Sequence, residues 1–391
     1  MKISSASKLR LFAAAALVLT ASLRADEIVD VNKDYRPGNE KPIPVAMTGI
    51  TGEAAETIRF DLYVQGFSFV AEDAAQYVIS GSATGNLTGR VTDKISKAAI
   101  VSPKSYTGAS LRRQAHTFVD DFVKAIGRKS IGTTKIAYKA DKGESGEICI
   151  ADFDGGSQQT ITSDKAIVAA PDWVPGRFAL LYTSYKFGNP DIFLHDLATG
   201  QRKGVARYPG SNMSPAASHD GSKVAMILSK SGAVDLYVAN VDGSNLVQLT
   251  RTREDDSSPC WSPDGKWICF ATKINERRSL CKVPASGGAV QRISTAGISN
   301  PSEPDWSPDS KWIVFTAQMG DFNLCVVPAE GGTATVLVSG EDPSWGPNSR
   351  TVVYARRQGG RRVLSLLDVP TKQTKDVSRI SGSNSQPSWA K

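Results

Sequence analysis

Few side chains in this sequence could perform catalysis, and their spacing matches none of the familiar catalytic sites. The only three histidines, His116, His195 and His219, do not show the spacing of a metal site. There is no Gly-x-Ser-x-Gly nucleophile elbow, no phosphate loop and no dinucleotide fingerprint. Residues 152–155 (Asp-Phe-Asp-Gly) resemble the start of a calcium loop, but the distal glutamate is missing and a hairpin turn explains them. We therefore predict a protein that is not an enzyme, with no catalytic residue, no metal ligand and no cofactor.

Polar side chains recur instead in five regularly spaced loops. The loops are residues 210–214, 254–257, 297–300, 340–342 and 381–384. They supply amides, hydroxyls and carboxylates but few large groups. Such loops suit a protein loop, a peptide or a cation, although ordinary surface turns have the same composition.

Each of these loops leads into a motif that recurs six times. The motif is most complete at residues 259–265 (Pro-Cys-Trp-Ser-Pro-Asp-Gly). A period in the forties with several short strands per unit predicts a β-propeller, because one such unit cannot bury its own faces. The copies begin at Pro171, Pro215, Pro259, Pro304, Pro343 and Pro387, at intervals of 44, 44, 45, 39 and 44 residues.

The repeat that begins at Pro259 predicts four strands, over residues 259–261, 266–272, 279–283 and 290–293. The Asp-Gly and Gly-Gly turns between them supply the positive φ that tight hairpins need. Residues 133–138 begin with a second-type strand, and residues 387–389 end the chain as a first-type strand, so the two ends complete one blade. We therefore predict a mainly β fold, a six-bladed β-propeller over residues 131–391 that the C-terminal strand closes. The fourth-to-first connections, which include the five polar loops, should gather at one mouth of the central channel.

Three segments precede the propeller. Residues 1–25 combine basic residues with an apolar run and predict a signal peptide that is cleaved near Ala25 and directs the chain to the periplasm. Residues 26–44 are charged and lack a helical period, which predicts a flexible segment. Residues 45–130 predict a small α/β domain with helices over residues 54–64 and 109–126 and strands over residues 76–80 and 97–101. His116 lies beside the apolar stripe of the second helix, where a packed histidine is expected.

The charge and the cysteines narrow the class of protein further. Cleavage of residues 1–25 removes four of the 46 basic residues, so 42 basic against 39 acidic residues leave a charge of +3 and no basic face for nucleic acid.

Cys149, Cys281 and Cys325 occupy the same place in three repeats, which predicts buried thiols in separate blades. Cys269 and Cys281 should lie on neighbouring strands and form the one disulfide worth testing.

Taken together, these features resemble the TolB family of the Tol-Pal envelope system. The resemblance rests on the export signal, the small α/β domain, the Pro-x-Trp-Ser-Pro-Asp-Gly blades and the junction from residues 112–116 through the helix to residues 134–138. It implies a monomeric periplasmic binding protein that maintains outer-membrane integrity and supports envelope constriction during cell division, with no stable membrane insertion.

The resemblance also implies two partners. The lipoprotein Pal would bind the propeller mouth, and TolA would bind the N-terminal segment. The implied TolA contacts are Asp26, Glu27, Ile28, Val29, Asp30 and Val31. The implied Pal contacts are Asn212, Met213, Asp255, Asp256, Asn300, Glu341 and Asn384. A secreted calcium-dependent propeller hydrolase, similar to a lactonase, is the alternative; it would need a ring of Glu, Asn and Asp side chains in the channel.

Overall fold

The computed structural model describes residues 37–251 and 254–391. The predicted signal peptide and the predicted TolA contacts, residues 26–31, lie outside these residues. No helix in the described ranges is long and apolar enough to cross a bilayer. The described residues form one compact unit, in which a small α/β domain packs on a six-bladed β-propeller.

The α/β domain is a five-stranded sheet with two helices packed on it. Its sheet order is β2-β1-β3-β4-β5. Apolar side chains at three- and four-residue spacing on the second helix, among them Phe118 and Phe122, are fully buried against the sheet. Ser110 begins that helix by accepting a hydrogen bond from the Arg113 amide at 3.3 Å. The elements are β1 Ile43–Thr48, α1 Gly52–Tyr63, β2 Phe67–Phe69, a 3₁₀ turn Glu72–Ala74, β3 Tyr77–Ser82, β4 Leu87–Asp93, β5 Ala99–Tyr106 and α2 Leu111–Ala125.

The propeller contains six four-stranded antiparallel blades. The first blade is β6 Lys135–Lys142, β7 Ser145–Asp152 and β8 Gln159–Thr160, completed by the last strand. The second blade is β9 Val168–Trp173, β10 Ala179–Phe187, β11 Asn189–Asp196 and β12 Arg202–Ala206. The third blade is β13 Asn212–Ala217, β14 Lys223–Leu228, β15 Asp235–Asn240 and β16 Val247–Gln248. The fourth is β17 Ser257–Trp261, β18 Trp267–Ile274, β19 Arg277–Pro284 and β20 Gln291–Ile293, followed by the short β21 Thr295–Ala296. The fifth blade is β22 Pro301–Trp306, β23 Trp312–Met319, β24 Asp321–Pro328 and β26 Thr335–Ser339, and the short β25 Gly332–Thr333 pairs with β21. The sixth blade is β27 Glu341–Trp345, β28 Thr351–Gln358, β29 Arg361–Asp368 and β30 Gln373–Asp376. The last strand, β31, is Ser383–Trp389.

The predicted closure of the ring is confirmed. Strand β31 pairs with β6 in the order β31-β6-β7-β8, with Trp389 opposite Ile136. Trp389 is buried, and its indole Nε1 donates to the Thr134 hydroxyl at 2.8 Å. Because the last strand pairs with the first propeller strand, one sheet contains both ends of the propeller sequence and no blade is left half-formed.

The α/β domain docks on one edge of the propeller. The Thr351 hydroxyl donates to the Val64 carbonyl at 3.0 Å, and the Gln373 amide donates to the Phe67 carbonyl at 3.1 Å. Both propeller residues adjoin first-to-second or third-to-fourth turns, which lie on the same edge of an antiparallel blade. The fourth-to-first connections lie on the opposite edge, away from the docked domain.

Residues 37–44, which the sequence assigned to a flexible segment, contact the propeller. The Glu40 amide donates to the Pro370 carbonyl at 3.0 Å, and the Glu40 carboxylate pairs with Arg350 at 3.0 Å. Strand β1 already begins at Ile43. The sequence shows that this segment is charged, but it does not show that Arg350 of the propeller pairs with it.

The predicted facing of Cys269 and Cys281 is wrong. Cys281 lies opposite Phe270 and Cys269 lies opposite Lys282, so the two thiols are one residue out of register and point to opposite faces of the blade. All five cysteines are free and buried, as the pattern of Cys149, Cys281 and Cys325 predicted for those three.

Candidate functional site

The first strands of the six blades surround a central channel. Residues from all six strands line one cavity of about 220 Å³. Each first strand begins at the edge that carries the fourth-to-first loops and runs toward the edge where the α/β domain docks. The channel mouth between the loops is therefore free of the α/β domain, and this mouth is the candidate site.

A six-membered ring of residues, here called the channel ring, lies just inside the mouth. Each member immediately precedes one of the six repeated prolines, has φ between +48° and +56°, and lines the cavity. The pairing of each first strand with the second is irregular at this point, as expected for a bulge that turns a residue out of the ladder. The members are Ala170, Ser214, Ser258, Glu303, Asp342 and Gln386.

Four members of the channel ring are joined by side-chain-to-backbone hydrogen bonds. The Asp342 amide donates to Glu303 Oε2 at 3.1 Å, and the Gln386 amide donates to Asp342 Oδ2 at 3.0 Å. The Ala170 amide then donates to Gln386 Oε1 at 2.9 Å. The bonds link three consecutive blade boundaries and fix the side chains that face the opening.

Two carboxylates of the channel ring, Glu303 and Asp342, lie side by side. Burial in the channel, together with the negative charge of Glu303, raises the pKa of Asp342 to about 8. The pair therefore retains a proton to higher pH than an isolated carboxyl group does, and a protonated carboxyl can donate as well as accept a hydrogen bond.

A second layer of charge lies deeper in the channel. The Asp305 carboxylate accepts from the Trp345 amide at 2.7 Å and pairs with the Lys391 ammonium at 2.7 Å. Asp172 accepts from the Ala217 amide at 2.8 Å, and burial raises its pKa to about 6. The cavity thus holds four carboxyl groups around one ammonium, which suits a partner that brings cationic or hydrogen-bond-donating groups.

Four of the seven residues expected at the mouth are buried there. The Asn212 amide is fully buried and bonds the Tyr208 carbonyl at 2.9 Å. Asp256 and Asn384 are 1% exposed. Asp256 accepts from the Thr250 hydroxyl at 2.5 Å, Asn384 donates to the Ser381 carbonyl at 3.0 Å, and Glu341 pairs with Arg362. These four side chains hold the loops in place rather than facing solvent.

The other three residues are accessible. Asp255 and Asn300 are exposed, and Met213 is half-buried within 4.0 Å of the Tyr185 hydroxyl. Their role in binding stays a prediction. Glu303, Asp342 and Gln386 were not among the predicted contacts, although a signal existed, since each occupies the position just before a repeated proline.

A buried charged cluster joins the α/β domain to the first blade. His116 on α2 bonds Asp61 on α1 at 2.6 Å, and its Nε2 lies 3.5 Å from Asp154 after β7. Arg112 pairs with Asp152 and, at 3.2 Å, with Asp154. Burial lowers the pKa of His116, but Asp61 and Asp154 outweigh it and raise the value to about 9. His116 is therefore a packed histidine, as expected, and it is positively charged at neutral pH.

Within residues 37–251 and 254–391, no group of three or more His, Cys, Asp or Glu side chains is placed to hold a metal ion. The turn at residues 152–155, which resembled a calcium loop, uses its two aspartates in the charged cluster.

The fold and the channel define a class, a six-bladed propeller with an α/β domain on one edge and a carboxyl-lined mouth on the other. The family described as the TolB β-propeller domain matches residues 122–391, more than half of the chain. The chain belongs to this family.

Individual proteins agree with this assignment. The chain is 30% identical over 223 residues to a protein of Bordetella pertussis named Tol-Pal system protein TolB, an alignment that covers 55% of this chain and 51% of the relative. The protein of that name from Bordetella bronchiseptica matches equally. The chain spans about half the length of the curated relatives it matches. Its fold is similar to the crystal structure of TolB from Acinetobacter baumannii, with a TM-score of 0.81 at 22% identity over 91% of this chain and 98% of that one.

Proposed function

We propose that the protein is a non-catalytic binding component of a Tol-Pal system, exported to the periplasm as a monomer. In this proposal the channel mouth binds Pal, and the N-terminal segment, residues 26–31, binds TolA. Such a complex would help to maintain outer-membrane integrity and support envelope constriction during division. Family membership and the printed name of the curated relatives support this function.

The observation that carries the proposal is the open mouth on the edge opposite the docked α/β domain. Asp255 and Asn300 are exposed on two of its loops, while the buried side chains of Asp256 and Asn384 hold the first of these loops and the loop at residues 381–384 in place. A preformed rim around a polar cavity fits a protein loop that inserts into the channel. A protein interface of ordinary size, about 1,200–2,000 Å² in total, would extend over several of these loops.

Calorimetric titration of the mature protein with the soluble domain of Pal from the same organism tests the mouth. We expect micromolar or tighter binding that weakens at least tenfold in an Asp255→Ala, Asn300→Gly double variant. Glycine is used at residue 300 because φ is +49° there, so the side chain is removed without backbone strain. The matched control is Glu330→Ala, an exposed acid in a third-to-fourth turn on the opposite edge. Absence of binding, or equal weakening by the control, would refute the mouth as the Pal site.

Deletion of residues 26–31 tests the second partner independently. We expect the deletion to abolish binding to the periplasmic domain of TolA and to leave Pal binding at the mouth detectable. Unchanged TolA binding would contradict the assignment of this segment.

A further inference from the structure

Two cysteines of the fourth blade face each other across adjacent strands. Cys260 on β17 is the register partner of Cys269 on β18. Partners directly opposite in an antiparallel ladder have Cα atoms about 4.5–5.5 Å apart and side chains on the same face. A disulfide requires a Cα separation of about 4.4–6.8 Å, so this pair meets the backbone requirement without strand movement.

The two thiols share one apolar environment. Cys260 and Cys269 belong to the cluster of side chains between the fourth and fifth blades, beside Trp306 and Phe315. Cys281 belongs to the cluster on the other side of the blade, with Phe270. Cys260 also lines the channel cavity, whereas Cys269 lies behind it with no exposed surface.

The same pair of positions is occupied differently in the other blades. The third blade has Ala216 opposite Ala225, and the first has Ser388 opposite Ala137. The fifth has Asp305 opposite Val314. The second and sixth have Asp172 opposite Leu181 and Ser344 opposite Val353. No other blade carries a thiol at either position, so two facing thiols add a chemical capability that packing does not require.

We propose that Cys260 and Cys269 form a reversible cross-strand disulfide in the channel wall when the protein meets a small or protein-borne disulfide oxidant. The inference does not depend on the Tol-Pal function, because it rests on the register of β17 and β18 alone. The bond would tie the wall of the channel at the fourth blade to the strand behind it.

The exchange balances through a mixed disulfide. The thiolate of Cys260 attacks one sulfur of the oxidant and releases the first thiol; the thiolate of Cys269 then attacks Cys260 Sγ and releases the second. The protein loses two protons and two electrons, and the oxidant is reduced to two thiols. Burial, and secondarily the neighbouring Cys269, raises the pKa of Cys260, so the reaction should accelerate as pH rises above neutrality.

Thiol counting and peptide mapping test the proposal on the full mature chain. The reduced protein is incubated with hydroxyethyl disulfide, denatured, and labelled with N-ethylmaleimide. We expect five labelled thiols before oxidation and three afterwards, since two of the five cysteines are consumed. Trypsin cleaves at Lys266, between Cys260 and Cys269, so only the disulfide can join the two resulting peptides.

Alanine variants separate this pair from the alternatives. Cys260→Ala and Cys269→Ala should each keep all four remaining thiols after oxidation, and Ala216 opposite Ala225 shows that alanine packs at these positions. Cys281→Ala, the matched control on the opposite face, should still lose two thiols. The proposal is overturned if the linked peptides contain Cys281 or Cys325, if Cys281→Ala blocks the reaction, or if the native protein keeps five thiols under conditions that oxidise dithiothreitol.

Discussion

Replacing His116 with leucine tests whether the buried charged cluster stabilises helix α2, whose His116 bonds Asp61 of α1 and faces Asp154 of the first blade. His116 is 3% exposed and Asp61 has no exposed surface, so the substitution leaves a buried carboxyl group without its cation. Removing one partner of a buried ion pair typically costs about 3–5 kcal/mol, whereas replacing both partners by apolar residues is often close to neutral. We therefore expect His116→Leu to lower the free energy of opening of helix α2 by about 3 kcal/mol at pH 7. The Asp61→Leu, His116→Leu double variant should recover most of that loss.

The same cluster predicts a pH dependence with a definite sign. The pKa of His116 rises from 6.5 to about 9 on folding, so its stabilising contribution is complete below pH 6.5 and is lost as pH rises through 9. A rise of this size corresponds to about 3 kcal/mol, at 1.36 kcal/mol per pKa unit. The pKa of Asp61 rises from 3.8 to about 6 because of burial, so its own titration falls below this window. The stability of α2 in the native protein should therefore fall between pH 7 and pH 10, and this dependence should be absent from the Asp61→Leu, His116→Leu double variant.

Hydrogen exchange followed by mass spectrometry measures both effects, because it reports the opening of α2 even if the two domains unfold separately. Lys104→Ala provides the control. It removes the exposed ion pair that Lys104 of β5 makes with Asp121 of α2, and it should cost less than 1 kcal/mol. If His116→Leu changes α2 protection no more than Lys104→Ala does, or if the pH dependence survives in the double variant, the charge of His116 does not stabilise α2.

Two further pairs of substitutions test the propeller. Trp389→Ala should lower the free energy of unfolding by about 3–5 kcal/mol, because the residue is buried in the closing strand. Trp267 is half-buried, so Trp267→Ala should lower it clearly less. Equal shifts in urea midpoint would contradict closure by β31. Gly243→Ala should destabilise more than Gly265→Ala, since a Cβ at residue 243 would lie 2.2 Å from the Val205 carbonyl oxygen and one at residue 265 meets nothing within 4 Å. Both glycines have positive φ, so the conformational cost of about 1–2 kcal/mol is shared and thermal unfolding isolates the clash.

Much of the fold could be predicted because the same turn residues and strand pattern recur in six repeats. The six prolines, the Asp-Gly turns and the split repeat predicted six blades and a closing strand, and the pairing of β31 with β6 confirmed it. The helix expected over residues 109–126 is observed at Leu111–Ala125, since its apolar spacing and its Ser110 cap act within one or two turns. Elements that depend on such local interactions can be predicted without knowledge of distant contacts.

The candidate site was predicted only in outline. The sequence shows that Asn212, Asp256 and Asn384 are polar and lie in loops, but it does not show the partners that bury them. These partners are the Tyr208 and Ser381 carbonyls for the two amides and the Thr250 hydroxyl for Asp256. The channel ring was missed for a related reason. A residue before a proline is normally extended, and only the bulge against the second strand turns Glu303 and Asp342 into the cavity.

The sequence by itself determined the number of blades, the way the ring closes, the class of the N-terminal domain and the resemblance to its family, because these follow from periodicity and turn chemistry. The tertiary structure alone decided which side chains meet. Strand register alternates faces with every residue, so a shift of one position places Lys282 rather than Cys281 opposite Cys269 on β19, while Cys260 faces Cys269 from the other neighbouring strand, β17. Likewise His116 reads as one histidine on an apolar stripe until folding brings Asp61 and Asp154, 55 and 38 positions away in the sequence, to its two ring nitrogens.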